Sequence, residues 1–276
     1  MGTSTSSSGS PGGASLDPPW LDDLAASLAA RLQMQELGEP IRIEKLPPIG
    51  VSAPARRFFA AKVQLGDFAR TGDRRALRRA LGHYSRTGMG GAASVARRMR
   101  PSTVAGSGLA QLLEAARNRT DPRVVAWVDA LVTRGSTADE IAAEIVRRVT
   151  TEGGTLEEES CRASMAEALA ELLEQEPDVD LLAMDADDIW TVLEAFLSRE
   201  AFNRILLDIG QLFEGVRVSP VEAVRRTNEM RDYIRSEVVS QMRRTRAATQ
   251  NPTPAQIEAV LRETLARTFG VFEGFL

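Results

Sequence analysis

The chain has 276 residues, with 43% hydrophobic and 26% charged side chains, enough to build a globular core in one large or two small domains. A single cysteine, Cys161, excludes an internal disulfide and a cysteine-based zinc cluster, and no apolar run approaches the ~18 residues of a membrane span. The net charge of −4 conceals a division: residues 51–123 hold fifteen Lys/Arg against four Asp/Glu (+11), and residues 137–200 hold four against eighteen (−14). Such asymmetry suits either docking of the two stretches on each other or separate partners for each.

The chain opens Met1-Gly2-Thr3-Ser4-Thr5-Ser6-Ser7-Ser8-Gly9-Ser10 and stays small and polar to Ser15. Nothing there offsets the entropy of ordering, so a disordered Gly/Ser-rich tail is expected over residues 1–19. Initiator methionine is normally removed before a small residue, which would expose the amine of Gly2 on a flexible leash. With neither a basic n-region nor an apolar h-region, the start does not read as a secretory signal, and a cytoplasmic protein is the expectation. Met1-Gly2-Thr3-Ser4-Thr5-Ser6 also fits a myristoylation pattern. Only Lys45 and Lys62 are lysines among 34 basic residues, a bias that points to a bacterial genome, where that acylation is not expected.

Trp20 to Glu36 reads as a first helix, with Leu21, Leu24, Leu28 and Leu32 on one face and Gly38 as its cap. Residues 38–54 form a proline-containing connector with one short alternation, Ile41-Arg42-Ile43, as an edge-strand candidate. A helix follows over Ala53–Phe68, offering Phe58, Phe59, Val63 and Phe68 to the core. Another starts at Asp73, placing Leu77 and Leu81 inward and Arg74, Arg75, Arg78 and Arg79 mainly outward. His83 to Ala93 reads as a glycine-rich turn into Ser94–Met99, and helices are expected at Leu109–Arg117 and Asp121–Arg134, the latter with proline at its first position.

The second half carries explicit start signals. Thr137 with Glu140, Thr155 with Glu158, Ser219-Pro220 with Glu222 and Thr253-Pro254 with Gln256 match capping boxes. They predict helices at Thr137–Thr150, Leu156–Gln175, Ala186–Leu197, Arg199–Glu214, Pro220 to about Ala248 and Pro254–Thr268. The apolar ending Phe269–Leu276 should dock on the body or on a partner. No period of 20–50 residues repeats. The expected architecture is all-α: a basic helical region over residues 20–134 and an acidic-to-mixed one over 135–276, or one continuous domain.

No catalytic constellation stands out. His83 is the lone histidine, and Cys161 lies beside Glu157-Glu158-Glu159, where like charge disfavours a thiolate. Asp185, Asp187 and Asp188 offer carboxylates to a metal but more simply cap the following helix. Gly88-Met89-Gly90-Gly91-Ala92-Ala93 has the skeleton of a dinucleotide loop without the required strand, so an inter-helix turn is preferred. Its amides beside Arg86, Arg97, Arg98 and Arg100 leave an anion contact open. Arg74, Arg75, Arg78, Arg79, Arg86, Arg97 and Arg98 are the nucleic-acid candidates, against the commoner alternatives of a solvated face or an acidic partner; no recognition motif accompanies them.

Two stretches together resemble a known family. The opening Met1-Gly2-Thr3-Ser4 with Pro18-Pro19-Trp20, and the block Arg57-Phe58-Phe59, Phe68-Ala69-Arg70-Thr71-Gly72-Asp73, Leu77, Ala80-Leu81-Gly82-His83-Tyr84 and Thr87-Gly88-Met89-Gly90-Gly91 to Arg98-Met99, are similar to the QatB family of the four-gene Qat anti-phage defence system. The resemblance implies a non-catalytic protein that binds no cofactor and works with an ATPase, a QueC-like enzyme and a TatD-like nuclease. QueC-type enzymes use ATP to activate the carboxylate of a deazaguanine, and defence relatives direct it to an N-terminal glycine. Carried onto this chain, the acceptor is Gly2 after loss of Met1, with Thr3 and Ser4 read by the partner enzyme and a covalent deazaguanine adduct as product. A nucleic-acid-binding or assembly scaffold using the Arg-rich half is the alternative.

Overall fold

The computed structural model describes residues 56–150, 155–215, 218–249 and 252–276. The expectations for the tail over residues 1–19 with Gly2, Thr3 and Ser4, for the helix at Trp20–Glu36 and for the edge-strand candidate Ile41-Arg42-Ile43 lie outside these residues. The fold is all-α, with no strand among the described residues. Its elements are α1 (Phe59–Thr71), α2 (Arg74–His83), a π-helical turn (Tyr84–Gly88), α3 (Ala92–Arg98), α4 (Arg100–Asn118), α5 (Pro122–Arg134), α6 (Ala138–Val149), α7 (Leu156–Gln175), α8 (Ala186–Ile209), α9 (Leu212–Gly215), α10 (Pro220–Thr249) and α11 (Pro254–Glu273).

The helix starts follow local chemistry. Asp73 accepts from the Arg75 amide at 2.8 Å and Asp121 from the Arg123 amide at 2.8 Å. Full capping boxes at Thr137/Glu140, Thr155/Glu158 and Asp185/Asp188 satisfy otherwise unpaired first-turn amides. Gly72 and Gly135 close α1 and α5 in the left-handed conformation, where a side chain would be strained.

Several boundaries differ from the sequence expectation. The helix expected from Ala53 starts at Phe59, after a turn in which the Phe59 amide donates to the Arg56 carbonyl at 2.8 Å. The helix expected from Leu109 begins at Arg100, with Pro101 in its first turn. The small residues Ser102, Thr103, Gly106, Ser107 and Gly108 argue locally against helix. Packing overrides them: a Cβ on Gly106 would lie 2.7 Å from Leu261 Cδ1 and 3.3 Å from Phe196 Cε1. The two helices expected on either side of Ser198 are one, α8, of 24 residues, and Ser198 is accommodated by donating to the Glu194 carbonyl at 2.6 Å. The last helix continues past Thr268 to Glu273, burying Phe269 and Phe272 completely.

Helices α8 and α11 run through the centre. α8 is apolar on almost every side and packs against α4, α7 and α10, while α11 lies against α2, α3, α4 and α10. One core therefore runs from Phe58 through Leu109, Phe196 and Met242 to Phe272. The C-terminal helix completes the packing of the chain's first described helices, as Tyr84, Phe269 and Phe272 show by their ring contacts. The acidic stretch is engaged by Arg199 near its own end and by arginines that follow it: Arg199 with Glu167 and Glu171, Arg235 with Glu171, Arg243 with Glu194 and Arg246 with Asp187.

Candidate functional site

The glycine-rich block is a junction between helices. Tyr84 to Gly88 forms a π-helical turn, Gly90 and Gly91 take positive φ (81° and 102°), and α3 starts at Ala92. Helices on both sides replace the strand that a dinucleotide loop needs. Gly88 allows close approach, since a Cβ there would lie 2.3 Å from Phe58 Cδ1. The Ser85 hydroxyl donates to Glu273 Oε1 at 2.6 Å, and a Cβ on Gly91 would stand 4.0 Å from the same oxygen. A carboxylate thus already lies beside this turn.

The sequence-predicted arginines separate into two groups. Arg78 is held over the rings of Tyr233 (5.7 Å) and Phe275 (5.0 Å), Arg79 donates to Gln64 Oε1 at 3.0 Å, and Arg97 donates to Ser94 Oγ at 3.0 Å. Arg98 is half-buried at the end of α3. Arg74 and Arg75 on α2, and Arg86 in the π-helical turn, are exposed, and their side chains have no partner among the described residues. Beside the α2 row lies a cavity of about 260 Å³ lined by Phe68, Arg74, Leu77, Arg78, Glu229, Asp232 and Tyr233. A wider groove of about 690 Å³ runs between α6 and α7, lined by Ala142, Ala143, Val146, Ala166, Ala170 and Leu173 with charged residues at its edges.

Two buried polar networks were not singled out from the sequence. The Tyr84 hydroxyl donates to Asp208 Oδ2 at 2.7 Å, Arg204 lies 3.4 Å from that oxygen, and Arg204 also donates to Glu157 Oε1 at 3.0 Å. Burial and the Asp208 carboxylate push the Tyr84 hydroxyl well above its ordinary pKa, so it stays a proton donor. Glu200 sits one turn earlier on the same face of α8 and accepts from Ser102 (3.1 Å), Ser160 (3.2 Å) and Ser164 (2.9 Å). Burial raises its pKa despite those three donors. A signal existed: Glu200, Arg204 and Asp208 recur every fourth residue along a segment otherwise rich in Leu, Ile, Phe and Ala. A charged stripe on a helix with no polar face must be buried and mutually paired.

The other nucleophile and metal candidates are spent on structure. Cys161 is buried; desolvation and the nearby Glu200 raise its thiol to about 12, far from a reactive thiolate. Asp185 accepts from the Asp187 and Asp188 amides at 2.8 and 2.9 Å, which holds its carboxyl below the usual range, and Asp188 returns the bond to the Asp185 amide at 3.1 Å. Among the described residues no group of His, Cys, Asp and Glu is arranged to hold a metal ion, and no helix is long and apolar enough to cross a membrane.

Fold and site together define an all-α protein whose buried polar groups join helices and whose exposed chemistry is an arginine-bearing helix beside a small mixed-charge cavity. Residues 90–272 match the family described as "Qat anti-phage system associated protein QatB". The chain belongs to this family and is a component of the Qat anti-phage defence system. No curated protein and no solved structure matches the chain. The matched segment overlaps the glycine-rich block only from Gly90 onward; most of it is α4 to α11.

Proposed function

We propose that this QatB protein is the non-catalytic acceptor of its defence system, carrying a deazaguanine joined by an amide to the amine of Gly2. A QueC-like partner converts the deazaguanine carboxylate and ATP into an acyl-adenylate and pyrophosphate. The Gly2 amine attacks the acyl carbon, the C–O bond to AMP breaks, and the amine nitrogen gives up a proton. The observation that carries the reading is the Met1-Gly2-Thr3-Ser4 start on a Ser/Gly-rich leader in a chain of the QatB family.

Elementary chemistry supports it. An α-amine with pKa about 7.7–8.0 is partly neutral near pH 7–8, whereas a lysine near 10.4 is not. Glycine leaves the attacking nitrogen uncrowded. Thr3 and Ser4 give the partner short hydrogen-bonding side chains to read. The ATPase and TatD-like nuclease of the same system are the further partners in this reading. The test is an intact mass of the protein produced with and without its neighbouring genes. The expected shift is confined to the first tryptic peptide, Gly2–Arg31; an unmodified Gly2–Arg31 in defence-active cells would overturn the reading.

A second reading, nucleic-acid scaffolding through the Arg-rich half, draws support from the exposed and unpartnered Arg74, Arg75 and Arg86. It is the weaker one, because Arg78, Arg79 and Arg97, though exposed, are engaged by neighbouring side chains and Glu229 and Asp232 share the cavity beside the row. Binding to DNA or RNA that falls steeply with salt and is lost when Arg74 and Arg75 are replaced would favour it.

A further inference from the structure

The groove of about 690 Å³ between α6 and α7 is apolar where the surface of a helical body is ordinarily charged. Val146 is buried in it and Leu173 half-buried, while Ala143, Ala166 and Ala170 along its sides are exposed, so no described element covers them. Small apolar side chains alone would accept many neighbours. The charges at the two ends decide among them.

α6 and α7 follow one another in the chain and pack side by side, and with so short a connection they run antiparallel. Arg147, near the end of α6, and Arg162, near the start of α7, therefore share one end of the groove. Asp139 lies at the other end, about 12 Å from Arg147 along α6. Arg147 and Arg162 each meet a glutamate three residues earlier, Glu144 and Glu159, in surface pairs of the kind that bind weakly in water. The Asp139 side chain is exposed and has no partner among the described residues. Along α6 the groove is thus positive at one end and negative at the other, with Ala143 midway between Asp139 and Arg147.

We infer that a second copy of this chain covers the groove, related by a two-fold axis that crosses it at Ala143. Rotation about that axis lays α6 antiparallel on α6 of the second copy. Each Arg147 then stands over Asp139 of the other copy, and two identical ion pairs flank the contact. An axis along the groove would instead set arginine on arginine and carboxylate on carboxylate. An unrelated helix would have to bring the same charges in reversed order, whereas a second copy carries them by symmetry. Alanine at the contact lets the helices approach to the short end of the usual ~8–10 Å, with Val146 and Leu173 of both copies filling the space between. Size sets the strength. α6 is about 18 Å long and two helices side by side are about 20 Å wide, so the contact buries on the order of 1,000 Å² in total, the lower limit for a specific interface. Association is therefore expected in the micromolar range.

Sedimentation velocity of the full-length chain from about 1 to 200 μM tests the inference, and a reversible monomer–dimer equilibrium is the expected result. Ala143→Arg places two arginines at the axis, and Asp139→Arg or Arg147→Asp sets like charges opposite each other. Each should raise the dissociation constant about ten-fold or more. The double variant Asp139→Arg/Arg147→Asp should recover most of that loss, because every pair is rebuilt with its signs exchanged. All three positions are exposed, and circular dichroism melts close to the parent's show that the fold is kept. A chain that stays monomeric at every concentration overturns the inference, as it would if another stretch of the chain or a different protein filled the groove. A dimer indifferent to Ala143→Arg places the interface elsewhere, and single variants that the double variant does not rescue reject the antiparallel arrangement; either result overturns the inference.

Discussion

The Tyr84 hydroxyl and the Asp208 carboxylate meet at 2.7 Å across 124 residues of sequence, fastening the π-helical turn to the C-terminal end of the central helix α8. Tyr84 also stacks on Phe58 with ring centroids 5.5 Å apart and leans on Phe269, so a single side chain joins the start, centre and end of the described fold.

Tyr84→Phe should therefore cost more than a hydroxyl group. The ring stays packed, but Asp208 loses a partner while its Oδ1 already lacks a hydrogen bond. An unsatisfied buried acceptor costs about 1–3 kcal/mol, and each kcal/mol lowers Tm by about 2–4 °C at this chain length. A melt unchanged from the parent would show that the pair contributes nothing.

Gly82→Ala should be as damaging, although alanine favours helix by about 1 kcal/mol over glycine. A Cβ at Gly82 would lie 2.7 Å from the Phe272 carbonyl oxygen and 2.9 Å from Leu276 Cγ. Backbone oxygen cannot yield as a side chain can, so α2 must move away from α11, at a cost of about 1–3 kcal/mol. Chemical denaturation of the two forms measures the difference. An increase in stability would mean that the two helices tolerate separation.

Glu200 should make the protein less stable as pH rises. Burial raises its pKa above the ordinary carboxyl value of 4.5, so the native state binds its proton more tightly than the unfolded chain does. Below the unfolded value both states are protonated and no penalty exists. Between that value and the raised native one, stability falls with pH, and above it the penalty is complete. Glu200→Gln removes the titration, so its Tm relative to the parent should be higher at about pH 7.5 than at about pH 4. A pH-independent difference between the two proteins would contradict this.

Changes at Gly2 should separate amine chemistry from tail length. Gly2→Leu keeps Met1 in place and Gly2→Pro leaves a hindered secondary amine, so both should abolish the adduct and defence while leaving the melt of the helical body unchanged. Mass spectrometry of the N-terminal peptide and a phage plating assay read the two effects. An adduct that persists on either variant would place the acceptor elsewhere.

The sequence by itself determined the class of fold and most helix starts, because a cap is a local event. Thr137, Thr155 and Asp185 each bond amides within three residues, and the spacing of cap and carboxylate is visible without the rest of the chain. The outward placement of Arg74, Arg75, Arg78 and Arg79 was equally legible, since Leu77 and Leu81 mark the opposite face of one short helix. The chemistry proposed for Gly2 also rests on sequence, in residues outside those the structure describes.

Tertiary structure decided the rest. Helix α4 runs through Gly106 because Leu261 and Phe196 need the space that a missing side chain leaves. The central helix continues past Ser198, and the last one past Thr268, because burial of Leu197, Ala201, Phe269 and Phe272 outweighs local preference. Glu200, Arg204 and Asp208 find partners as far away as Ser102 and Tyr84. The cavity lined by both Arg74 and Asp232 likewise exists only once α1, α2 and α10 come together. Local hydrogen bonds fix where helices begin; only long-range packing fixes how far they run and which charged groups they bring together.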